Sequence, residues 1–132
     1  SLADSSHQVM LEKLQPEQQL KKLIWDHVKF FSLHQSEMRV MMFGTHEIDQ
    51  ARSKEISVLK HEYAKYFKVA VSDFIYFRSG QRLDKQPLDR KSYLLFGMMN
   101  WVYGWFSKDE HGTFDALAED IYSTFTNGCA AQ

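Results

Sequence analysis

The chain has 132 residues, of which 44% are hydrophobic and 25% charged, and its 16 basic and 17 acidic side chains nearly cancel. One domain of this length buries roughly two-thirds of its unfolded surface, so its core needs no disulfide or metal. No basic stripe of the kind that binds nucleic-acid phosphates is present, which excludes DNA binding by this chain alone. The single cysteine, Cys129, cannot form an internal disulfide and fits a reducing cytoplasm. A polar N-terminus and the lack of an apolar run of about 20 residues argue against a signal peptide and a membrane span.

The first clear element is a helix that begins at Pro16, where a missing N–H costs nothing. A shorter helical segment is expected before it, at about residues 4–14. Residues spaced three and four apart then form one apolar stripe. The members of this stripe are Leu20, Leu23, Ile24, His27, Val28, Phe31 and His34.

A short methionine-rich helix is expected at residues 38–43, before Gly44, and a long helix at about residues 49–78. Gly80 is the predicted stop of the long helix, and residues 80–88, which contain Pro87, are the predicted loop. Asp89 is the expected cap of the next helix, at residues 90–106. A turn at residues 108–112 precedes a last helix that begins at Thr113. The sequence therefore predicts an all-α bundle of about five to six helices without strands.

The helix at residues 90–106 is apolar on both sides, so both sides must be covered. One copy of a small domain covers one side, and a second copy is the natural cover for the other. Gly97 and Gly104 lie two turns apart and would let a neighbouring backbone approach closely, although each costs about 1 kcal/mol within a helix. We therefore expect a homodimer built on the last two helices, while a central helix in a monomer remains the alternative. The predicted interface consists of Leu94, Gly97, Met98, Trp101, Gly104, Trp105, Leu117, Ile121 and Phe125.

The stretch from Leu95 to Phe106, with Asn100-Trp101 and a second tryptophan one turn later, resembles the end of TetR-family transcriptional regulators, as does the run from Ala116 to Glu119. The resemblance implies that residues 1–132 are one effector-binding and dimerisation domain of a bacterial regulator, a repressor in most such cases. It also implies an N-terminal helix-turn-helix that reads operator DNA. No such segment is found in this sequence, so DNA binding is expected only through a domain absent from the chain. The implied effector is a small hydrophobic molecule of the acyl-CoA-like kind.

An effector site in such a domain would be mostly apolar, with a few polar groups that orient the ligand. Methionine adapts to irregular pockets, and an amide or phenol could hold a polar head. Plain core packing is the alternative for each of these residues. The candidate lining residues are Met38, Met42, His46, Tyr63, Phe67, Phe74, Phe96, Asn100 and Tyr103.

No catalytic motif is found, so an enzyme is not expected. Glu-x-x-His motifs of helical di-iron sites, phosphate-binding glycine loops and nucleophile elbows are all missing from the sequence. His27 and His34 lie two turns apart on one stripe, but two ligands make a weak metal site, and hydrogen-bonded, partly buried histidines are the favoured interpretation. No cofactor or metal is therefore expected. A second class of function stays open, a dimeric helical adaptor without a small-molecule pocket.

Overall fold

The computed structural model describes Val9 and residues 14–34 and 50–130, with side chains described for all of these except residues 50–60, Tyr103 and residues 129–130. Every element within those residues is helical, as the sequence predicts. The helices are α1 (Pro16–Leu33), α2 (Gln50–Ser79), α3 (Lys85–Asn100), a 3₁₀ turn (Trp101–Gly104), α4 (Lys108–His111) and α5 (Phe114–Ala130). The predicted helix at residues 38–43 and most of the segment at 4–14 lie outside the described residues.

Helix α1 begins with Pro16 in its first turn and buries one stripe, as its spacing predicts. This stripe packs against both α2 and α5, which places α1 at the centre of the described bundle. Most of the stripe is apolar, and its burial is the main stabilising contribution of the helix. Its buried members are Gln19, Leu20, Leu23, Ile24, His27, Val28 and Phe31.

Helix α2 is 30 residues long and ends at the predicted glycine. Gly80 has a φ of 77°, and its N–H donates to the carbonyl of Tyr76 at 2.8 Å. A side chain is strained at this φ, so glycine ends the helix at low cost. Near this end, Arg78 Nε donates to Glu17 Oε1 at 2.7 Å, which connects the last turn of α2 to the first turn of α1.

Helix α3 begins earlier than the sequence predicts. Its N-cap is Asp84 rather than Asp89, and Pro87 lies within the first turn instead of in a loop. The first four N–H groups of any helix have no partner within the helix, so proline is tolerated there. Asp89 accepts a hydrogen bond from Lys85 at 3.0 Å, one turn away on the same helix. The predicted loop at residues 80–88 is therefore wrong in its second half.

The α-helical part of α3 ends at Asn100, six residues before the predicted end. The chain tightens into the 3₁₀ turn, and the N–H of Trp105 donates to the carbonyl of Val102, three residues earlier, at 3.2 Å. The predicted turn at residues 108–112 contains one turn of helix, α4, which ends at Gly112 with a φ of 89°. An unbroken apolar run indicates burial or contact with a partner, but it does not distinguish an α-helix from a 3₁₀ turn.

Helix α5 begins directly after Thr113, whose hydroxyl accepts a hydrogen bond from the N–H of Ala116 at 3.1 Å. Thr113 is thus the N-cap of α5, one residue before the first helical residue, whereas the sequence predicts that the helix begins at Thr113 itself. Its apolar stripe lies in the core of the protomer, with Leu117, Ile121 and Phe125 each buried. These three residues, which the sequence predicts at the dimer interface, are thus already covered within one protomer. The helix needs them to pack against its own bundle, because its remaining positions are mostly polar.

Candidate functional site

His27 is a buried polar residue in the middle of the apolar stripe of α1. Its Nδ1 lies 2.5 Å from the hydroxyl of Tyr63 on α2, and its Nε2 lies 3.0 Å from Oδ1 of Asn100 at the end of α3. An amide oxygen only accepts, so Nε2–H donates to Asn100 and the Tyr63 hydroxyl donates to Nδ1. One imidazole thus connects three helices, and both of its nitrogens are satisfied. We call these three residues the His27 junction.

Aromatic rings surround the His27 junction. The imidazole stacks on Phe31 at a centroid distance of 4.1 Å and on Tyr63 at 5.5 Å. Phe67 and Phe96 contact it edge-on, at 5.8 and 6.1 Å. Phe67 is fully buried, whereas Tyr63, Phe96 and Asn100 each keep part of their surface accessible. The junction therefore has a closed inner side and an accessible outer side.

Burial lowers the pKa of the His27 imidazole to about 4, and the hydrogen bond to Asn100 opposes this shift. Desolvation disfavours the charged form, and the hydrogen bond to Asn100 compensates for only part of the lost hydration. At neutral pH the imidazole is uncharged and keeps the arrangement of one donor and one acceptor. The junction is thus polar but carries no charge.

Four of the predicted effector residues meet at this junction: Tyr63, Phe67, Phe96 and Asn100. Phe74 does not join them; it is fully buried, and seven residues along a helix place it about 10 Å from Phe67. Instead, its ring lies 5.1 Å from the guanidinium of Arg78. The remaining candidates, Met38, Met42, His46 and the side chain of Tyr103, lie outside the described residues.

His27 is not among the effector residues that the sequence predicts. The sequence favours a hydrogen-bonded, partly buried histidine; the two bonds to its ring nitrogens confirm the hydrogen bonding, and the side chain is buried more completely than predicted. One feature of the sequence does indicate the junction: a polar ring stands at a buried position of an otherwise apolar helical stripe. Such a ring must find partners on neighbouring helices, and the sequence alone does not identify them.

The side of α3 that points away from the core is apolar and exposed. Leu94, Trp101 and Trp105 expose 67%, 59% and 45% of their surface, while Leu95 and Met99 on the opposite side are buried. Met98 lies between the two sides and is partly buried. We call the exposed stripe formed by Leu94, Gly97, Trp101, Gly104 and Trp105 the α3 face.

The two glycines of the α3 face differ in their surroundings. A Cβ added at Gly97 would meet nothing within 4 Å, so this position offers open space to a neighbour. A Cβ at Gly104 would lie 3.1 Å from the ring of Trp101. Within the protomer, the ring of Trp101 therefore lies beside Gly104, the position where the sequence predicts close approach of a second backbone.

An open groove of about 210 Å³ lies between α2 and α3, on the outside of the bundle. Its cations are already paired, because Lys68 lies 3.1 Å from Asp89 and Arg82 lies 2.6 Å from Asp73. None of its lining residues belongs to the His27 junction. They are Lys68, Val69, Ser72, Asp73, Arg82 and Leu88.

Among the described residues, no group of three or more histidine, cysteine, aspartate or glutamate side chains is placed to hold a metal ion. No helix in the described part of the chain has the length and apolar character needed to cross a membrane.

Comparison with known proteins identifies relatives of this architecture. A family model described as the tetracyclin repressor-like C-terminal domain matches residues 13–129. Among solved structures, the chain is similar to a TetR-family transcriptional regulator from Bordetella parapertussis 12822, with a TM-score of 0.82 and 20% sequence identity. The match covers 94% of this chain and 63% of that one, so the chain spans less than two-thirds of the regulator. No curated protein matches the sequence. At this identity the structural match shows a shared fold.

Proposed function

Because the chain belongs to the family of TetR-like C-terminal domains, whose members are parts of transcription regulators rather than enzymes, we propose that it is the effector-sensing and dimerising domain of a bacterial regulator. Regulators of this family generally act as dimers that bind DNA and small-molecule effectors. The observation that carries the proposal is the family match over residues 13–129. The proposed place of action is the cytoplasm, and the proposed mode is repression relieved by effector.

The α3 face supports the dimerisation part of this proposal. Its two tryptophans and one leucine expose about 350 Å² per protomer, worth roughly 15–20 kcal/mol for a pair if fully buried. The loss of translational and rotational freedom on association, about 4–15 kcal/mol, and the ordering of interface side chains offset much of this gain. A stable dimer buries about 800 Å² on each partner, so the α3 face supplies nearly half of the required area. In this proposal α5 contributes through side chains that the protomer leaves exposed, such as Thr124 and Asn127.

The His27 junction supports the sensing part. Ligand sites are mostly apolar with a few convergent polar groups, and the junction combines three phenylalanine rings with an amide, a phenol and an imidazole. Asn100 is the last residue of α3 and directly precedes Trp101 of the α3 face. A ligand that contacts Asn100 would therefore act one residue away from the proposed interface. It would shift the arrangement of the dimer only as far as it binds one arrangement better than the other.

DNA binding is assigned in this proposal to a domain outside the chain. The chain covers 63% of the Bordetella parapertussis regulator, which leaves over a third of that protein for other functions. The near-neutral charge of the present chain agrees with this division, because phosphate binding requires clustered basic side chains.

Native mass spectrometry of the protein as purified tests both halves of the proposal. We expect a dimer that carries the additional mass of a small molecule, and we expect that mass to disappear after mild denaturation. A Trp101→Glu variant should shift the protein towards monomer, because it places a charge in the buried interface. Lys65→Glu, on an exposed position of α2, is the matched control and should leave the dimer unchanged.

A bare monomer at micromolar concentration would contradict the dimerisation part. A bare dimer that also binds no candidate metabolite would favour the alternative, a helical adaptor that uses the α3 face without sensing a ligand.

A further inference from the structure

The geometry of the His27 junction determines the orientation of the Asn100 amide. Nε2–H of His27 holds Oδ1 of Asn100 at 3.0 Å, so Nδ2 with its two hydrogens is on the other side of the amide. No acceptor for Nδ2 is found among the described residues. Asn100 also keeps part of its surface accessible, unlike the fully buried His27. The junction therefore presents a hydrogen-bond donor on its accessible side.

The surroundings of this donor determine which acceptor it suits. Phe96 and Tyr63 lie next to each other, with ring centroids 6.0 Å apart, and both contact the imidazole that holds Asn100. Burial lowers the pKa of His27 and the hydrogen bond to Asn100 raises it, while no charged side chain among the described residues contributes. An anionic group placed here would lose its hydration without gaining a cation as a partner, which costs several kcal/mol. An uncharged acceptor loses much less.

We propose that the junction receives an uncharged hydrogen-bond acceptor of the effector, a carbonyl oxygen of an ester, amide or ketone, on the side-chain amide of Asn100. The apolar part of the molecule next to this carbonyl packs on the rings of Tyr63 and Phe96. A carboxylate or phosphate is excluded from this position. The inference rests on the effector-sensing function proposed above and narrows the chemical class of the effector.

The test uses three probes that share a phenylbutyl body. These are methyl 4-phenylbutanoate, which carries an uncharged carbonyl, the 4-phenylbutanoate anion, and butylbenzene, which has no acceptor. Each is titrated into the full chain at pH 7.5, with binding followed by tryptophan fluorescence because Trp101 adjoins Asn100. We expect the ester to bind at least tenfold more tightly than either of the other two.

Asn100→Asp tests the donor itself. Aspartate keeps an oxygen that accepts from Nε2–H of His27, but it replaces the donating amide by an acceptor. Affinity for the ester should fall at least tenfold, while affinity for butylbenzene stays within twofold. Gln81→Glu, at an exposed position in the loop between α2 and α3, makes the same amide-to-carboxylate change away from the junction and should alter neither affinity. If Asn100→Asp does not fold, the relative affinities of the three probes for the unaltered protein still test whether the junction prefers an uncharged acceptor.

Carboxylate binding as tight as ester binding would overturn the inference, as would an unchanged ester affinity in Asn100→Asp. Binding of none of the three probes would overturn it as well. The sensing function is judged separately by the small molecule that accompanies the purified dimer, so it survives any of these results if that molecule is found.

Discussion

Gly97 allows the dimer proposal to be tested by a single methyl group. The residue lies within α3 on the α3 face, it is exposed, and a Cβ built there meets nothing within 4 Å of the same protomer. Gly97→Ala therefore adds no clash to the isolated protomer. If a partner backbone lies against this position in the dimer, the same methyl group separates the two helices.

Gly97→Ala should stabilise the isolated protomer and weaken the dimer. Alanine is favoured over glycine in a helix interior by about 0.8–1.0 kcal/mol, so the free energy of unfolding of the protomer should rise by up to that amount. A methyl group forced between closely packed helices costs about 1–3 kcal/mol per copy. The dimer contains two copies, so its dissociation constant should rise at least tenfold, which corresponds to about 1.4 kcal/mol.

Urea denaturation at low protein concentration measures the free energy of unfolding of the protomer, and sedimentation equilibrium measures the dissociation constant of the dimer. Gly97→Leu extends the series, because leucine has nearly the helix propensity of alanine but adds a larger side chain to the interface. Lys65→Ala, exposed on α2, is the control for a substitution outside the α3 face. A Gly97→Ala protein that dimerises as tightly as the original chain would refute close backbone approach at this position.

Three further predictions concern the protomer itself. Burial lowers the pKa of His27 from 6.5 to about 4 in the native state, so between these pH values the unfolded state binds a proton at His27 that the native state does not bind. The free energy of unfolding therefore has its full His27 contribution above pH 6.5 and should fall by about 3 kcal/mol as the pH is lowered towards 4. Urea unfolding at pH 7, 5 and 4 measures this loss, and His27→Gln should show a smaller one, whereas an equal loss would assign it to other groups. Ser92→Ala should leave thermal stability unchanged or raise it by up to about 1 kcal/mol, because the Ser92 hydroxyl is buried and has no hydrogen-bond partner among the described residues; a clear loss in calorimetry would mean that the hydroxyl is bonded. Gly80→Ala should lower the free energy of unfolding by about 1–2 kcal/mol, since its φ of 77° is strained for any side chain, and an unchanged value would mean that the helix end adjusts.

The features that depend on local chemistry could be predicted from the sequence. Pro16 begins α1, Gly80 ends α2 and Thr113 caps α5, because each acts on the backbone within one turn of its own position. The three- and four-residue spacing of apolar side chains likewise predicts which stripe of α1 is buried. The start of α3 was missed because Pro87 is compatible both with a loop and with a first helical turn, and its neighbours do not decide between the two.

The features that depend on contacts between distant segments could not be predicted. Nothing near His27 in the chain indicates Tyr63, 36 residues away, or Asn100, 73 residues away, as its partners. The sides of α3 are both apolar, so only its packing on α2 shows that Leu95 faces inwards and Leu94 outwards. Helix α5 gives the converse case: its apolar stripe suits a dimer interface and a protomer core equally well, and the bundle uses it for the core. Helical periodicity is a property of a single segment. Which other segment packs against its apolar stripe depends on the whole chain, through the burial of apolar surface and the pairing of buried polar groups.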